Sequence, residues 1–195
     1  MNVVPGKLHG LLLIEPKVFG DARGYFMETW NLRTYHESGI QAAFVQDNIS
    51  VSRRGALRGL HFQNPNPQGK LVSVLQGEVL DLVVDIRLRS STFGKWEAVR
   101  LSSENKRQFY IPPGFAHGFL VLSDTAMFHY KCTEFYSPKD ELTIRWNDPE
   151  IGIKWPIADV QLSDKDRKAQ TLKEWLSRPD SENFTYSDKH TTVGR

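Results

Sequence analysis

Hydrophobic and polar positions alternate through the middle of the chain at the spacing of β-strands. Residues 71–77 and 79–86 mix two-residue alternation with β-branched side chains, and Gly77-Glu78 between them reads as a turn. Alternation returns over residues 96–101 and continues at 108–111, 118–122 and 126–135. Short strands at close spacing, separated by Gly, Pro, Asn and Ser, predict a mainly β jelly roll or barrel with a few short peripheral helices. One helix is expected over 31–38, closed by Gly39. Another is expected to start at Ser163 as N-cap and to run on through Arg167 to Leu176. No internal repeat or linker divides the chain. Residues 1–176 are therefore expected to form one domain, and the polar stretch 177–195 a poorly ordered tail.

Composition narrows the function classes. The chain has 195 residues, enough for one domain with a substantial core. Its net charge is +2, its pI is about 8.6, and it has no Lys/Arg block, so no nucleic-acid partner is expected. The excess positive charge suits one or two phosphates instead. Cys132 is the only cysteine, which excludes an intrachain disulfide and a Cys-based zinc site and fits a reducing cytoplasm. The apolar run 11–14 is too short for a signal sequence. Nothing approaches the ~20 apolar residues of a membrane helix, so no membrane attachment is expected.

Candidate chemistry concentrates in two segments. The first is Arg58-Gly59-Leu60-His61-Phe62-Gln63, followed by Gly69-Lys70-Leu71; the second is Ile111-Pro112-Pro113-Gly114-Phe115-Ala116-His117-Gly118-Phe119. Alternation puts Leu60 and Phe62 on one strand face, and Arg58 shares their parity unless Gly59 marks a bulge. A lone histidine is as often a satisfied core residue as a functional one. Here Arg58, His61 and Lys70 crowd one strand pair, and burying them without a ligand or partners would be costly. His117 ends a Pro-x-Gly-x-x-His pattern; its plain alternative is a turn histidine. Tyr130 reads first as a buried aromatic, but a phenol inside a polar barrel can also donate a proton. Lys165 and Asp166 open the last helix, where the helix dipole favours acidic residues anyway. Contact of Asp166 with His61 is not readable from spacing. The segments 19–24 and 44–48 read as turns.

Taken in order, Phe19-Gly-Asp-Ala-Arg-Gly24, Phe44-Val-Gln-Asp-Asn48, Leu57-Arg-Gly-Leu-His-Phe-Gln63, Gln68-Gly-Lys-Leu-Val72, Pro112-Pro-Gly-Phe-Ala-His-Gly-Phe119, Trp146-Asn-Asp-Pro149, Ile151-Gly-Ile-Lys-Trp-Pro156 and Leu162-Ser-Asp-Lys-Asp166 make a specific set. From about Leu11 to Arg167 the chain strongly resembles the dTDP-4-dehydrorhamnose 3,5-epimerase family of the cupin superfamily. The loop 64–68 matches imperfectly. The resemblance implies a cofactor-independent cytoplasmic isomerase that inverts C3 and C5 of a dTDP-4-keto-6-deoxy sugar, in a route toward lipopolysaccharide or cell-wall polysaccharide. It implies a homodimer with exchanged N-terminal strands. His61 would be the base, Asp166 its dyad partner, Tyr130 the acid, and Lys70 the group that polarises the C4 carbonyl. Phe19, Arg23, Glu28, Gln46, Asn48, Arg58, His117, Glu141 and Lys165 would bind substrate, with Arg23 and Glu28 reaching the neighbouring subunit's site. Tyr136 would stack on the thymine.

Three rivals remain. A monofunctional 3- or 5-epimerase would share nearly every motif. A metal-dependent cupin would need His-x-His and a Glu in the first half, where this chain has His61-Phe62-Gln63. Two imidazoles fall short of the usual three protein ligands, so no metal is expected. A non-catalytic sugar-nucleotide-binding module would tolerate loss of His61 and Tyr130 while Arg58 and Arg23 remained; the presence of all four favours an enzyme.

Overall fold

Two antiparallel sheets face each other in the computed structural model, which describes residues 1–186. Among these residues the strands are β1 (Asn2–Pro5), β2 (Leu12–Glu15), β3 (Val18–Asp21), β4 (Gly24–Met27), β5 (Gln46–Arg53), β6 (Leu57–Gln63), β7 (Lys70–Gln76), β8 (Glu78–Asp85), β9 (Trp96–Ser102), β10 (Gln108–Ile111), β11 (Phe115–Val121), β12 (Thr125–Cys132) and β13 (Glu141–Thr143). The larger sheet has the order β1-β2-β10-β7-β12-β5 and the smaller β13-β6-β11-β8-β9, while β3 and β4 form a separate hairpin. The chain switches sheets between β5 and β6, β7 and β8, and β11 and β12, as in a jelly roll. Gly77 makes the β7–β8 corner with φ +78°, where a Cβ would overlap the Thr125 carbonyl. The turn expected at 77–78 is thus present, but it joins two sheets rather than a hairpin.

Alternation explains where the core sits. Val72 and Val74 of β7, Val83 of β8, Phe109 of β10, Phe119 of β11 and Phe128 of β12 fill the space between the sheets. Lys70 shares the parity of Val72 and Val74, and Tyr130 and Cys132 share that of Phe128. One end of these strand faces is therefore apolar core and the other is polar. The outer face of the larger sheet packs Ile14 and Leu71 under Tyr35 of α1 (Leu32–Glu37), and the outer face of the smaller sheet packs Leu60 and Phe62 against Trp175 and Phe184.

Several boundaries differ from those the pattern predicts. The helix expected over 31–38 is α1, one residue shorter at each end: Asn31 is its N-cap, accepting from the Arg33 and Thr34 amides, and Gly39 follows with φ +96°. The last helix is split into α2 (Asp164–Arg167) and α3 (Leu172–Leu176). Its interruption has two causes: the Arg145 amide donates to the Gln170 carbonyl at 2.7 Å, and Thr171 with Glu174 forms a capping box that starts a new helix. The strand expected over 126–135 stops at Cys132. Residues 46–48, read as a turn, begin the eight-residue β5.

The tail also departs from expectation as far as it is described. Pro179–Phe184 forms a 3₁₀ turn, Phe184 is buried, and the Leu88 amide donates to the Phe184 carbonyl at 2.6 Å. Edge-to-face packing of Phe184 on Phe62 and Trp175 accounts for this order despite the polar composition. Residues 187–195 lie outside the described residues. At the other end, β1 pairs with β2 and β2 with β10 inside the chain, so these two strands complete the chain's own sheet. Only the β3–β4 hairpin stands apart, with Phe19, Tyr25 and Phe26 exposed.

Candidate active site

The site begins with a local irregularity in β6. His61 pairs with His117, yet Arg58 pairs with Phe119, so three steps along β6 match two along β11. A bulge at Gly59 absorbs the extra residue. It resets the side-chain parity and lets Arg58 and His61 line the same cavity. Glycines are required where the two strands cross: Gly59 has φ +140°, and a Cβ on it would lie 2.5 Å from Gly118 Cα.

The cavity, about 360 Å³, opens at the polar end of the barrel. It gathers Gln46 and Asn48 from β5, Arg58 and His61 from β6, Lys70 from β7, His117 from β11 and Tyr130 from β12. Tyr136, Glu141 and Lys165 line its mouth. Asp166 stands behind His61. The other three candidates are elsewhere: Phe19 and Arg23 belong to the projecting hairpin, and Glu28 follows it. Arg23 clasps Asp21 at 2.6 Å and is 90% exposed, while the Glu28 carboxylate accepts from the Asn31 amide group at 2.9 Å.

His61 Nε2 and Asp166 Oδ1 are 2.6 Å apart. Asp166 is buried and fixed by the start of α2: its Oδ2 accepts from Ser163 Oγ at 2.7 Å, and its amide donates back to that oxygen. Burial opposes ionisation of Asp166, but the hydrogen bond and charge of His61, with Ser163, outweigh it and hold the carboxyl below its ordinary value. An ionised Asp166 keeps a proton on Nε2 and leaves Nδ1 of His61 as the acceptor. That nitrogen is 3.8 Å from Glu141 Oε1. Lys165 donates to Glu141 Oε1 at 2.6 Å and Tyr136 donates to Oε2 at 2.8 Å. Burial again works against ionisation of Glu141, and these two donors again prevail.

Two further groups are set by burial. Lys70 is 8% exposed and has no ion pair within 4 Å among the described residues. Burial lowers its pKa, partly offset by Cys132, Glu141 and Asp81. Burial raises that of the Tyr130 phenol, with Cys132 and Glu141 adding to the rise against Arg58. A sharpened cationic donor, a neutral phenol and a carboxylate-oriented imidazole thus converge on one cavity. That set can remove a proton beside a carbonyl, stabilise the resulting enolate and return a proton from another side. Among the described residues no cluster of three or more His, Cys, Asp or Glu side chains could hold a metal ion, and no helix is long and apolar enough to cross a membrane.

Some residues of the site escaped sequence reasoning. Asp81 accepts from or donates to nothing at Oδ1 but meets His117 Nε2 at 2.8 Å through Oδ2, fully buried. Its signal was a carboxylate inside the otherwise apolar run 79–84. Ser52 accepts from Arg58 Nε at 3.0 Å, and Cys132 Sγ meets Asn48 Nδ2 at 3.7 Å. Gln63, read only as the residue that replaces a second histidine, accepts from the Ser137 amide at 2.9 Å and donates to the Phe135 carbonyl at 3.1 Å. It holds the loop that carries Tyr136.

Known proteins share this sequence and fold. Residues 5–174 match the family model described as dTDP-4-dehydrorhamnose 3,5-epimerase. The dTDP-4-dehydrorhamnose 3,5-epimerase of Methanothermobacter thermautotrophicus is 55% identical over 170 residues, covering 86% of this chain and 92% of that protein. A solved dTDP-6-deoxy-D-glucose-3,5-epimerase from Legionella pneumophila, in complex with dTDP-4-keto-L-rhamnose, superposes with a TM-score of 0.89 at 52% identity, covering 95% of this chain and 98% of that one. A 3'-monoepimerase from Streptomyces bikiniensis, in complex with dTDP-quinovose, is 36% identical with a TM-score of 0.83, covering 88% of each chain.

Proposed function

The chain belongs to the dTDP-4-dehydrorhamnose 3,5-epimerase family, and from that premise we infer how its cavity works. It is an isomerase of dTDP-L-rhamnose biosynthesis. It inverts C3 and C5 of dTDP-4-dehydro-6-deoxy-D-glucose to give dTDP-4-dehydro-L-rhamnose. Relatives that are 52–55% identical to the chain over nearly their whole length are 3,5-epimerases, which supports inversion at both carbons.

The observation that carries the mechanism is the 2.6 Å His61–Asp166 contact in the cavity that also holds Lys70 and Tyr130. The 4-keto group makes the C3 and C5 protons acidic by delocalising charge into an enolate. Nδ1 of His61 takes the proton; Asp166 fixes the tautomer and stabilises the imidazolium that forms. The Lys70 ammonium meets the oxyanion at O4, where its attraction grows as charge develops, so it favours the transition state over the substrate. Tyr130 gives its phenolic proton to the opposite face of the carbon. The phenolate then regains a proton from solvent and His61 loses the one it took. No nicotinamide or metal is required for this cycle.

Arg58 grips the pyrophosphate with the guanidinium edge left free by Ser52, and His117, Gln46, Asn48, Glu141 and Lys165 hold the remaining polar groups. Tyr136, half-exposed at the mouth, offers a flat face to thymine. The protein acts as a homodimer in the cytoplasm. The exposed Phe19 and Phe26 on a hairpin outside both sheets, and the exposed Ile49 and Val51 on the edge strand β5, support a second copy as partner. The hairpin would carry Phe19 and Arg23, with Glu28 behind it, to that copy's cavity.

The test is His61→Asn. It should abolish deuterium exchange at both carbons while dTDP binding survives; exchange near the wild-type rate would refute the assignment of the base.

A further inference from the structure

We propose that the C-terminal strap, residues 178–186, positions the loop of Tyr136 through Asn64 and so sets the affinity for the thymine end of the substrate. The inference rests on the reading of Tyr136 as the thymine platform. The strap lies outside the cavity and beyond residues 5–174, the part of the chain that matches the family. It is fixed at both ends. Arg178 lies over the Trp175 ring, 5.9 Å from its centroid, and Phe184 is buried. The Leu88 amide donates to the Phe184 carbonyl at 2.6 Å, and the Tyr186 amide donates to the Leu88 carbonyl at 2.7 Å. Between these anchors the strap grips Asn64, which is 6% exposed. Asn64 Nδ2 donates to the Asp180 carbonyl at 2.9 Å and to Asp180 Oδ2 at 3.1 Å, and Asn64 Oδ1 accepts from Asn183 Nδ2 at 2.8 Å. Arg178 holds the Asp180 carboxylate in place with bonds of 2.9 and 2.8 Å.

The same stretch of chain is tied to the cavity mouth on its other side. Gln63, next to Asn64, donates to the Asn66 and Phe135 carbonyls, both at 3.1 Å, and accepts from the Ser137 amide at 2.9 Å. The Asn64 amide donates to the Asp140 carbonyl at 2.9 Å, and Gln68 Nε2 donates to the Glu134 carbonyl at 2.9 Å. Residues 63–68 are thus bonded to the loop 134–140 on one side and to the strap on the other. Tyr136 is also held directly by Gln46 and Glu141, at 2.8 Å each, but those two side chains serve the substrate. The tethers that stay in place when a ligand enters run through Gln63 and Asn64. A loop fixed beforehand in its binding position loses less freedom on binding, which raises affinity. Stability alone explains why a tail packs on a barrel. It does not explain why the joint is a buried amide beside Gln63, since an apolar side chain would seal the same gap without fixing a direction.

Calorimetry on full-length variants tests the strap with two probes: dTDP, which carries thymine, and inorganic pyrophosphate, which does not. Asn64→Asp keeps the size of the side chain but turns its two donors into acceptors, facing the Asp180 carbonyl and carboxylate. It should weaken dTDP binding by about tenfold and leave pyrophosphate binding within about twofold. In turnover it should raise KM by about tenfold with kcat within about twofold, a split that loss of stability alone does not produce. If Asn64→Asp does not fold, Asn183→Ala decides: Asn183 is exposed, the variant removes one bond, and dTDP binding should weaken by about threefold. Unchanged dTDP affinity, or equal losses for the two probes, would overturn the strap's role. Tyr136→Ala separates this from the functional reading, since it should weaken dTDP by about tenfold or more and spare pyrophosphate. Native dTDP affinity in Tyr136→Ala would overturn the thymine platform and the strap's role with it. A loss in Tyr136→Ala with none in the strap variant would overturn the strap alone.

Discussion

Replacing Asp166 with Asn isolates the charge behind the base. The side chain keeps its size, and the site is buried, so solvent screening is weak: Asp166 is 3% exposed and the His61 side chain 26%. When His61 takes a proton from the sugar, an imidazolium forms beside the carboxylate. For charge centres ~4 Å apart at an effective dielectric of ~20, their attraction is about 4 kcal/mol. A neutral amide returns about 1 kcal/mol through its hydrogen bond. The difference, ~3 kcal/mol, corresponds to a loss of roughly 10²-fold in kcat/KM. Tautomer choice deepens it. An amide N–H presented to Nε2 leaves the ring hydrogen on Nδ1, the nitrogen that must accept the substrate proton; in His–Asp pairs of catalytic triads the same swap costs about 10⁴-fold. NMR of product formation gives kcat/KM, and calorimetry gives the affinity for dTDP. Asp166 does not line the cavity, so dTDP affinity should stay within about twofold while turnover falls by 10²- to ~10⁴-fold. A loss of less than about tenfold, or an equal loss of dTDP affinity, would mean that Asp166 only supports the start of α2.

Three further outcomes are expected. Tyr130→Phe keeps the ring that packs beside Phe128 but lacks the hydroxyl, so it should still wash deuterium into the sugar while inverted product falls by about 10²–10⁴-fold; equal loss of washout and inversion would remove Tyr130 from the role of acid. Sedimentation should give twice the 22.4 kDa of one chain, and Arg23→Ala should raise KM by about tenfold through loss of a pyrophosphate contact; a fully active monomer would contradict the crossing hairpin.

The strands of the barrel were legible because their alternation is set by burial on one face, and that signal is strong in β7 and β8. His61, Lys70 and His117 were legible as candidates because polar groups in such strands are expensive without a purpose. What was hidden depends on a third dimension. Arg58 and His61 have opposite parity in a regular strand, and only the bulge at Gly59, forced by the close crossing with Gly118, sets both toward the cavity. Asp166 is 105 residues from His61 in sequence, and its reach depends on Ser163, which orients the first turn of α2. Polar composition pointed away from order after residue 177, yet one aromatic side chain, Phe184, finds a buried slot against Phe62 and Trp175 and anchors that stretch. Phe19, Arg23 and Glu28 lie outside the cavity of their own chain, which no pattern within one sequence can reveal.

One base, His61, serves both carbons in this mechanism. Incubation with dTDP-4-dehydro-6-deoxy-D-glucose in D₂O, followed by mass spectrometry and NMR of the recovered sugar, tests it most directly. Two deuterons are expected, at C3 and at C5, in a sugar of L-rhamno configuration, and loss of both in His61→Asn. A single deuteron in the wild-type product, or exchange that persists at one carbon in the variant, would contradict it.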